Sequence, residues 1–205
     1  MIEAKDISVS FGGRTVFTNI SFSLAVGEKL VLTGPSGSGK STMLNVCMGF
    51  VPFGKTKDRQ VAGSVKIAGK TVENIRHVRS LMAWMPQELS FSALSCDELF
   101  YWPFRFAVNK KNYPDKKATE NMLSLFGLDY AILGKPLTAI SGGQKQRLVL
   151  CSLLLLKKNI LLLDEPTAAL DEHAANTVMN YLFEQKELTI ISSSHNPAWV
   201  LTSDI

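Results

Sequence analysis

The segment TGPSGSGKST, residues 33–42, combines three glycines and several hydroxyl side chains with a single cation, Lys40. Its residues match the pattern G-x-x-x-x-G-K-[ST] in full. Glycines let successive backbone N–H groups converge on phosphate oxygens, a lysine at this position reaches the β- and γ-phosphates, and a serine hydroxyl can ligate Mg²⁺. The sequence therefore predicts a phosphate-binding loop, made of Gly34, Pro35, Ser36, Gly37, Ser38, Gly39, Lys40, Ser41 and Thr42.

Two adjacent carboxylates, Asp164 and Glu165, follow the apolar run in NILLLDEP, residues 159–166. Mg²⁺ prefers oxygen ligands and keeps several waters, so we expect Asp164 to hold the hydration shell of that metal. Glu165 is then the candidate for polarising an attacking water. A surface turn after any strand could carry the same letters, and it is the phosphate loop upstream that favours a catalytic pair.

Strands and helices must bring these residues together. The sequence pattern of the first third of the chain predicts which elements flank the phosphate-binding loop. Period-two segments broken by glycines in residues 2–32 indicate β-strands, the last of which runs directly into the loop. The segment KSTMLNVCMGF after the loop has helical spacing and ends at Pro52. Strand, glycine loop and helix form the context in which such a motif is credible. The polar residues 54–62 predict a loop.

The rest of the chain alternates between the two kinds of element. GSVKIAGKTV and SLMAWM predict strands, and helical patterns dominate from residue 95 to 156. A buried strand in NILLLDEP, a helix over about 172–185 and a strand in LTIISSS follow. This alternation predicts an α/β domain with a largely parallel sheet.

Composition excludes several classes of protein. The 205 residues are 46% hydrophobic and 20% charged, with a net charge of +4, which is typical of a globular domain and too mild to indicate a nucleic-acid partner. The three cysteines have no metal-type spacing, and we expect them to pack as small hydrophobic residues. The N-terminus has no secretory pattern, and no apolar run approaches the ~20 residues of a membrane span, so we expect a cytoplasmic protein without direct membrane insertion.

A further motif identifies a family. AISGGQKQRLVL, residues 139–150, resembles the LSGGQ signature of the ATP-binding cassette (ABC) ATPases, with Ile140 in place of the usual leucine. It precedes the LLLDEP strand, in the order that this family uses. Other family motifs are matched by Phe11 (the aromatic residue that stacks on adenine), Gln87 (Q-loop), Asp171 (D-loop) and His195 (H-loop).

The resemblance implies an ATPase that works as a homodimer. Ser141, Gly142, Gly143 and Gln144 would reach the γ-phosphate of ATP bound by the other protomer, so that ATP is sandwiched head to tail. His195 would contact the γ-phosphate, and Gln87 would join Ser41 and Asp164 near Mg²⁺. As a strand-end aromatic, Phe11 could instead belong to the core.

The resemblance also implies a fold: an α/β P-loop NTPase with a mostly parallel sheet, an N-terminal antiparallel β-subdomain and an inserted α-helical subdomain. We expect one ABC ATPase domain over 1–205, in which 1–87 and 157–205 form the core and β-subdomain and 88–156 the helical subdomain.

The implied function is Mg²⁺-dependent ATP hydrolysis coupled to a separate transmembrane permease, at the cytoplasmic face of the membrane. Five aromatic residues within CDELFYWPFRF, residues 96–106, either pack inside the helical subdomain or form the groove that receives the permease. The alternative is a soluble ABC ATPase of DNA repair or translation, but sustained heptads are lacking. A GTPase is disfavoured, because NKKN at 109–112 lacks the aspartate of N-K-x-D.

Overall fold

The protein is represented by a computed structural model, which describes residues 1–89, 95–195 and 199. In chain order the elements are β1 (Ile2–Phe11), β2 (Arg14–Leu24), β3 (Lys29–Leu32), α1 (Lys40–Cys47), β4 (Gly54–Lys55), β5 (Arg59–Ile67), β6 (Lys70–Thr71), α2 (Ile75–Leu81), β7 (Met82–Met85), α3 (Cys96–Tyr101), α4 (Lys116–Leu125), α5 (Gly142–Leu155), β8 (Ile160–Asp164), α6 (Glu172–Glu184) and β9 (Thr189–Ser193). Short 3₁₀ turns connect α3 to α5 at Trp102–Arg105, Lys110–Asn112, Tyr130–Gly134 and Leu137–Ala139.

Two sheets organise the molecule. An antiparallel sheet has the strand order β2-β1-β5-β4, with β6 paired to β5, and a parallel sheet has the order β3-β9-β8-β7. Every residue of the two central strands, β8 and β9, is buried, which explains why neither sequence alternates between apolar and polar residues. The predicted fold class, an α/β fold with a parallel core sheet, an antiparallel N-terminal sheet and inserted helices, is confirmed.

The parallel sheet separates two hydrophobic clusters. On one face Leu162 and Ile191 pack with α1 and the antiparallel sheet. On the other face Leu161 and Leu163 pack with α3, α4, α5 and α6. Because consecutive side chains of a strand point to opposite faces, the run ILLLD supplies both clusters.

Three segments differ from the sequence prediction. The predicted loop at 54–62 is wrong: β4 and the first residues of β5 lie there, and their polar side chains are tolerated because an antiparallel sheet can leave one face in water. The strand in GSVKIAGKTV is a hairpin, since Ala68 and Gly69 adopt positive φ between β5 and β6. The strand in SLMAWM begins only at Met82, after α2.

The cysteines are buried and free, as predicted. Burial raises the pKa of the Cys47 thiol to about 12. Burial also raises the pKa of Cys96 and Cys151. Among the described residues, no helix has the length and apolar character needed to cross a bilayer.

Candidate active site

A cavity of about 510 Å³ lies beside the carboxyl edge of the parallel sheet. The segments that follow β3, β7, β8 and β9 all contribute to its lining, which is the edge where ligands bind in open α/β sheets. The predicted site residues in its lining are Phe11, Ser36, Gly37, Gly39, Lys40, Ser41, Thr42, Gln87, Asp164, Glu165 and His195. Residues separated by more than a hundred positions in the chain thus face one space.

The phosphate loop leads from β3 into α1 with a backbone that only glycine adopts readily. Gly39 is the N-cap of α1 at φ 98°, and a Cβ built there would lie 2.6 Å from Val16 Cγ1. No side chain caps the helix. The first N–H groups of a helix have no intrahelical partner, so this end of α1 presents donors and positive dipole to an anion in the cavity.

Lys40 is held within its own loop. Its Nζ donates to the carbonyl oxygens of Gly34 at 2.9 Å and Pro35 at 3.1 Å. These bonds keep the ammonium at the cavity wall, where it lines the same space as Ser41 and Thr42. Gly34, Pro35 and Ser38 belong to the loop without lining the cavity.

The side chain of Asp164 is oriented by a serine of the neighbouring strand. Ser193 Oγ donates to Asp164 Oδ1 at 2.5 Å and accepts a hydrogen bond from the backbone N–H of Glu165 at 3.0 Å. Asp164 and Ser193 are both buried. One hydroxyl therefore fixes both the carboxylate of Asp164 and the peptide that follows it.

Glu165 combines a strained backbone with an unsatisfied side chain. Its φ is 51°, a left-handed conformation that costs a non-glycine residue about 1–3 kcal/mol and clusters at functional sites. Its Oε1 is buried and accepts no hydrogen bond from the described residues. His195 Nε2 lies 3.2 Å from that oxygen, at ion-pair distance when the imidazole is protonated. Glu165 also lines the cavity, where a carboxylate held in this way could orient a water molecule.

The donor set fits a magnesium ion. Asp164 offers a carboxylate oxygen, Ser41 a hydroxyl and Gln87 an amide oxygen, and all three line the cavity. Mg²⁺ takes oxygen ligands and is usually held by one or two carboxylates together with substrate phosphates and water. These side chains, with a triphosphate in the loop, could complete such a set.

Phe11 stands at the cavity rim and not in the core. It is 39% exposed and lies at the end of β1, where it pairs with Arg14 across the Gly12–Gly13 turn. Of the two interpretations of this residue, the geometry is compatible with a ring that stacks on a base.

The signature segment forms a separate corner, which we call the signature corner: Ser141, Gly142, Gly143 and Gln144. Ser141 caps α5 through a capping box, in which Ser141 Oγ accepts from Gln144 N and Gln144 Oε1 accepts from Ser141 N. Ser141 and Gly142 are exposed. No residue of the corner lines the cavity, and neither does Asp171, which caps α6 through a hydrogen bond from Ala174 N.

Sequence reasoning missed five residues. Arg14, Thr15 and Val16 line the cavity, and Ser193 and Gln146 hold its carboxylate segment. For Arg14 and its two neighbours, the signal was a basic residue directly after the glycine turn that follows Phe11. For Ser193 and Gln146 the sequence carried no clear signal, because β9 ends in two serines and Gln146 lies among the polar residues at the start of α5. The other two histidines, His77 and His173, do not line the cavity.

Comparisons with known proteins point to one family. The model of the family described as "ABC transporter" matches residues 17–168. The chain is 28% identical over 200 residues to the linearmycin resistance ATP-binding protein LnrL of Bacillus subtilis, covering 95% of this chain and 61% of that protein. It is 30% identical over 205 residues to the energy-coupling factor transporter ATP-binding protein EcfA1 of Leuconostoc mesenteroides, covering 95% of this chain and 72% of that protein. The chain thus spans less than two thirds of the length of LnrL.

The fold is also that of a solved cassette. A dimeric structure of the ATP-binding cassette MJ0796 in a post-hydrolysis state, bound to ADP and Pi, superposes with a TM-score of 0.80 and 23% sequence identity. The superposition covers 100% of this chain and 92% of the other.

Proposed function

Since this chain belongs to the ABC transporter family, we propose that it is the ATP-binding and ATP-hydrolysing subunit of a membrane transporter. The observation that carries the proposal is a cavity in which a phosphate loop, two buried carboxylates, a glutamine and a histidine meet. A triphosphate needs positive donors on one side and a metal ligand and water-positioning group on the other, and this cavity offers both.

In this proposal ATP lies along the cavity. Its base stacks on Phe11, its phosphates accept hydrogen bonds from the loop and the start of α1, and Lys40 contacts the β- and γ-phosphates. Arg14 adds a second cation at the rim near Phe11. The exposed ring and the uncapped helix support this placement.

Bound Mg²⁺ would neutralise developing charge on the phosphates. Ser41, Asp164 and Gln87 are the residues that would hold it or its waters. The carboxylate of Glu165 accepts a hydrogen bond from the attacking water and orients it, and His195 steadies the glutamate and the γ-phosphate. The strained, fixed backbone of Glu165 supports this role, because a positioning group must be held rigidly before the reaction.

The complete site requires a second copy. The signature corner lies at a helix N-terminus outside the cavity of its own chain. In a head-to-tail homodimer it meets the γ-phosphate of the partner, with Asp171 at the same interface. The MJ0796 cassette, whose fold this chain shares, is a dimer in its solved structure, which supports this arrangement.

The transport partner is a separate permease, which docks on the helical part of the chain at the cytoplasmic face of the membrane. Trp102 is 50% and Phe106 55% exposed, and Tyr113, exposed nearby, stacks on Tyr101. Phe100 and Phe104 are buried in the helical cluster, so these two rings pack inside the protein and only the exposed rings support docking. Exposed aromatic residues of this kind suit a protein interface.

We propose that the chain forms one ABC ATPase domain with two parts. Residues 1–87 and 157–205 form the core and β-subdomain, and 88–156 form the helical subdomain that carries the signature corner and the aromatic surface. Residues 90–94, 196–198 and 200–205 of these ranges lie outside the described residues. The names of EcfA1 and other relatives as transporter proteins favour transport over the soluble DNA-repair or translation alternative.

Phosphate release from ATP by the purified chain tests the proposal. We expect hydrolysis that requires Mg²⁺ and falls at least about a hundredfold in Glu165→Gln, because the amide cannot polarise water. Glu184→Gln, an exposed acid at the end of α6, is the matched control and should keep the wild-type rate. Hydrolysis that is independent of Mg²⁺ or unaffected by Glu165→Gln would refute the assignment.

A further inference from the structure

Gln146 is a buried amide near the start of α5. It is 5% exposed, and its neighbours in α5 include the buried Leu148, Val149 and Leu150. A buried amide must find hydrogen-bond partners, and leaving one without them costs more than an apolar residue would. The surroundings of Gln146 must therefore provide hydrogen-bond partners for its side-chain amide.

Both ends of this amide bind one short segment. Gln146 Nε2 donates to the backbone oxygen of Glu165 at 2.8 Å, and Gln146 Oε1 accepts from the backbone N–H of Ala169 at 3.1 Å. The side chain thus clamps the segment 165–169, which begins with the candidate catalytic glutamate and ends beside the D-loop residue Asp171.

This clamp acts on a strained residue. Glu165 has φ 51°, and such conformations persist only where the surroundings over-determine them. Ser193 holds the N–H of Glu165, through both its hydroxyl and its carbonyl oxygen, and Gln146 holds the carbonyl. The direction of the Glu165 side chain depends on both.

Gln146 is also tied to the signature corner. It lies one helical turn after Gly142, on a helix whose hydrogen bonds make it move as a unit. Gly143 approaches the same segment so closely that a Cβ would lie 2.6 Å from Ala169 O. A displacement of the corner therefore cannot leave the segment 165–169 in place unless these contacts break.

We propose that Gln146 is a positioning residue that transmits nucleotide contact at the signature corner to Glu165 of the same chain. This inference rests on the proposed dimer, in which the corner touches the nucleotide of one site while Glu165 serves the other. Gln146 then couples the two sites: when the corner engages the partner's ATP, α5 sets the backbone of Glu165 for hydrolysis of its own ATP.

Two variants separate this role from simple packing. Gln146→Leu keeps the volume and removes both hydrogen bonds, while Gln146→Glu keeps an acceptor for Ala169 N and loses the donor to Glu165 O. Ser152→Ala is the control, since it removes another buried hydrogen bond of α5, to Phe100 O at 2.6 Å, away from the cavity.

We expect both Gln146 variants to lower kcat by about tenfold to a hundredfold, as misplacement of a catalytic group does, and to reduce the Hill coefficient for ATP towards one. Nucleotide affinity should stay within about twofold, because the phosphate loop is untouched. In a Glu165→Gln background, Gln146→Leu should still form the ATP-dependent dimer in size-exclusion chromatography, because the corner itself is intact.

Three results would overturn the inference: wild-type kcat and Hill coefficient in both variants, a loss no greater than that of Ser152→Ala, or loss of the trapped dimer. Should Gln146→Leu fail to fold, Gln146→Glu carries the kinetic test alone. A wild-type chain that neither hydrolyses ATP nor dimerises refutes the proposed function instead, so the two failures are distinguishable.

Discussion

At the scale of single residues, the two neighbouring carboxylates are held by a small number of hydrogen bonds from buried residues. Asp164 is held by Ser193, and the Glu165 peptide by Ser193 and Gln146, yet Glu165 Oε1 accepts no hydrogen bond from the described residues. His195 lies 3.2 Å from that oxygen and is exposed to the cavity. The backbone groups around the proposed catalytic carboxylate are thus held in place.

The first prediction at this scale concerns Lys40. Lys40→Ala should weaken ATP binding by about 3 kcal/mol, more than a hundredfold in Kd, because a charge-assisted contact to phosphate is lost. Isothermal titration with ATP measures this change. Lys55→Ala, an exposed lysine of β4 that does not line the cavity, should bind ATP as the wild type does. Equal ATP affinities in the two variants would show that Lys40 does not bind the nucleotide.

The second residue-scale prediction concerns Ser193. Ser193→Ala removes the hydrogen bond to Asp164 Oδ1, so the Mg²⁺ concentration for half-maximal hydrolysis should rise by an amount equivalent to about 1–3 kcal/mol. A magnesium titration of the ATPase rate measures this shift.

The control is Ser192→Ala, on the same strand. Ser192 Oγ accepts from Trp199 Nε1 at 2.7 Å, so this variant loses a buried hydrogen bond without touching Asp164. Its magnesium requirement should not change. The same shift in both variants would mean that Ser193 acts only through stability.

At the scale of elements, the parallel sheet determines where the chemistry lies. The four strands end at one edge, and each is followed within a few residues by a member of the cavity lining. β8 and β9 are pinned between neighbours on both sides, so Asp164 and the loop to His195 start from rigid positions. Sites built on such elements are held more accurately than sites on loops alone.

The junction of the phosphate loop and α1 carries the element-scale prediction. Gly39→Ala should cost about 3 kcal/mol of unfolding free energy, from positive φ and from overlap with Val16 and Phe17, and should abolish ATP binding. Denaturant unfolding and ATP titration measure the two effects. Gly69→Ala, at φ 77° with open space around the added Cβ, should cost only about 1 kcal/mol and leave ATP binding intact.

At the scale of the whole molecule, the proposed dimer makes the cavity and the signature corner two halves of one site. The corner presents the start of a fourteen-residue helix away from the cavity of its own chain. Two copies placed head to tail would complete two sites at once. The exposed Trp102 and Phe106 lie on the face that we propose for the membrane partner.

The dimer prediction uses the slow Glu165→Gln background. With ATP, Glu165→Gln should elute as a dimer in size-exclusion chromatography, whereas adding Ser141→Phe should leave it monomeric, because the bulky ring blocks the partner's phosphate. ATP affinity of the monomer should stay the same. Ser124→Phe, on the exposed face of α4, is the control and should dimerise. A dimer in the Ser141→Phe variant would argue against the sandwich.

Contiguous motifs could be interpreted from the sequence because their chemistry is local. The glycines, Lys40 and the helix start of the phosphate loop are neighbours in the chain, and the apolar run before Asp164 predicts a buried strand by itself. The ordered set of motifs also identified the family, which the comparisons confirm. The loop predicted at 54–62 failed because a polar strand on a half-exposed sheet has no local signal.

Tertiary structure alone decided how the site is supported. Glu165 takes its left-handed backbone because Gln146, nineteen positions before it, and Ser193, twenty-eight positions after it, bind its peptide groups. Val16 meets Gly39, and Trp102 faces solvent while Phe104 is buried, only once distant segments have packed. A sequence motif specifies which groups can react, but the hydrogen bonds and contacts that aim them join residues far apart in the chain, and only the folded backbone brings those residues together.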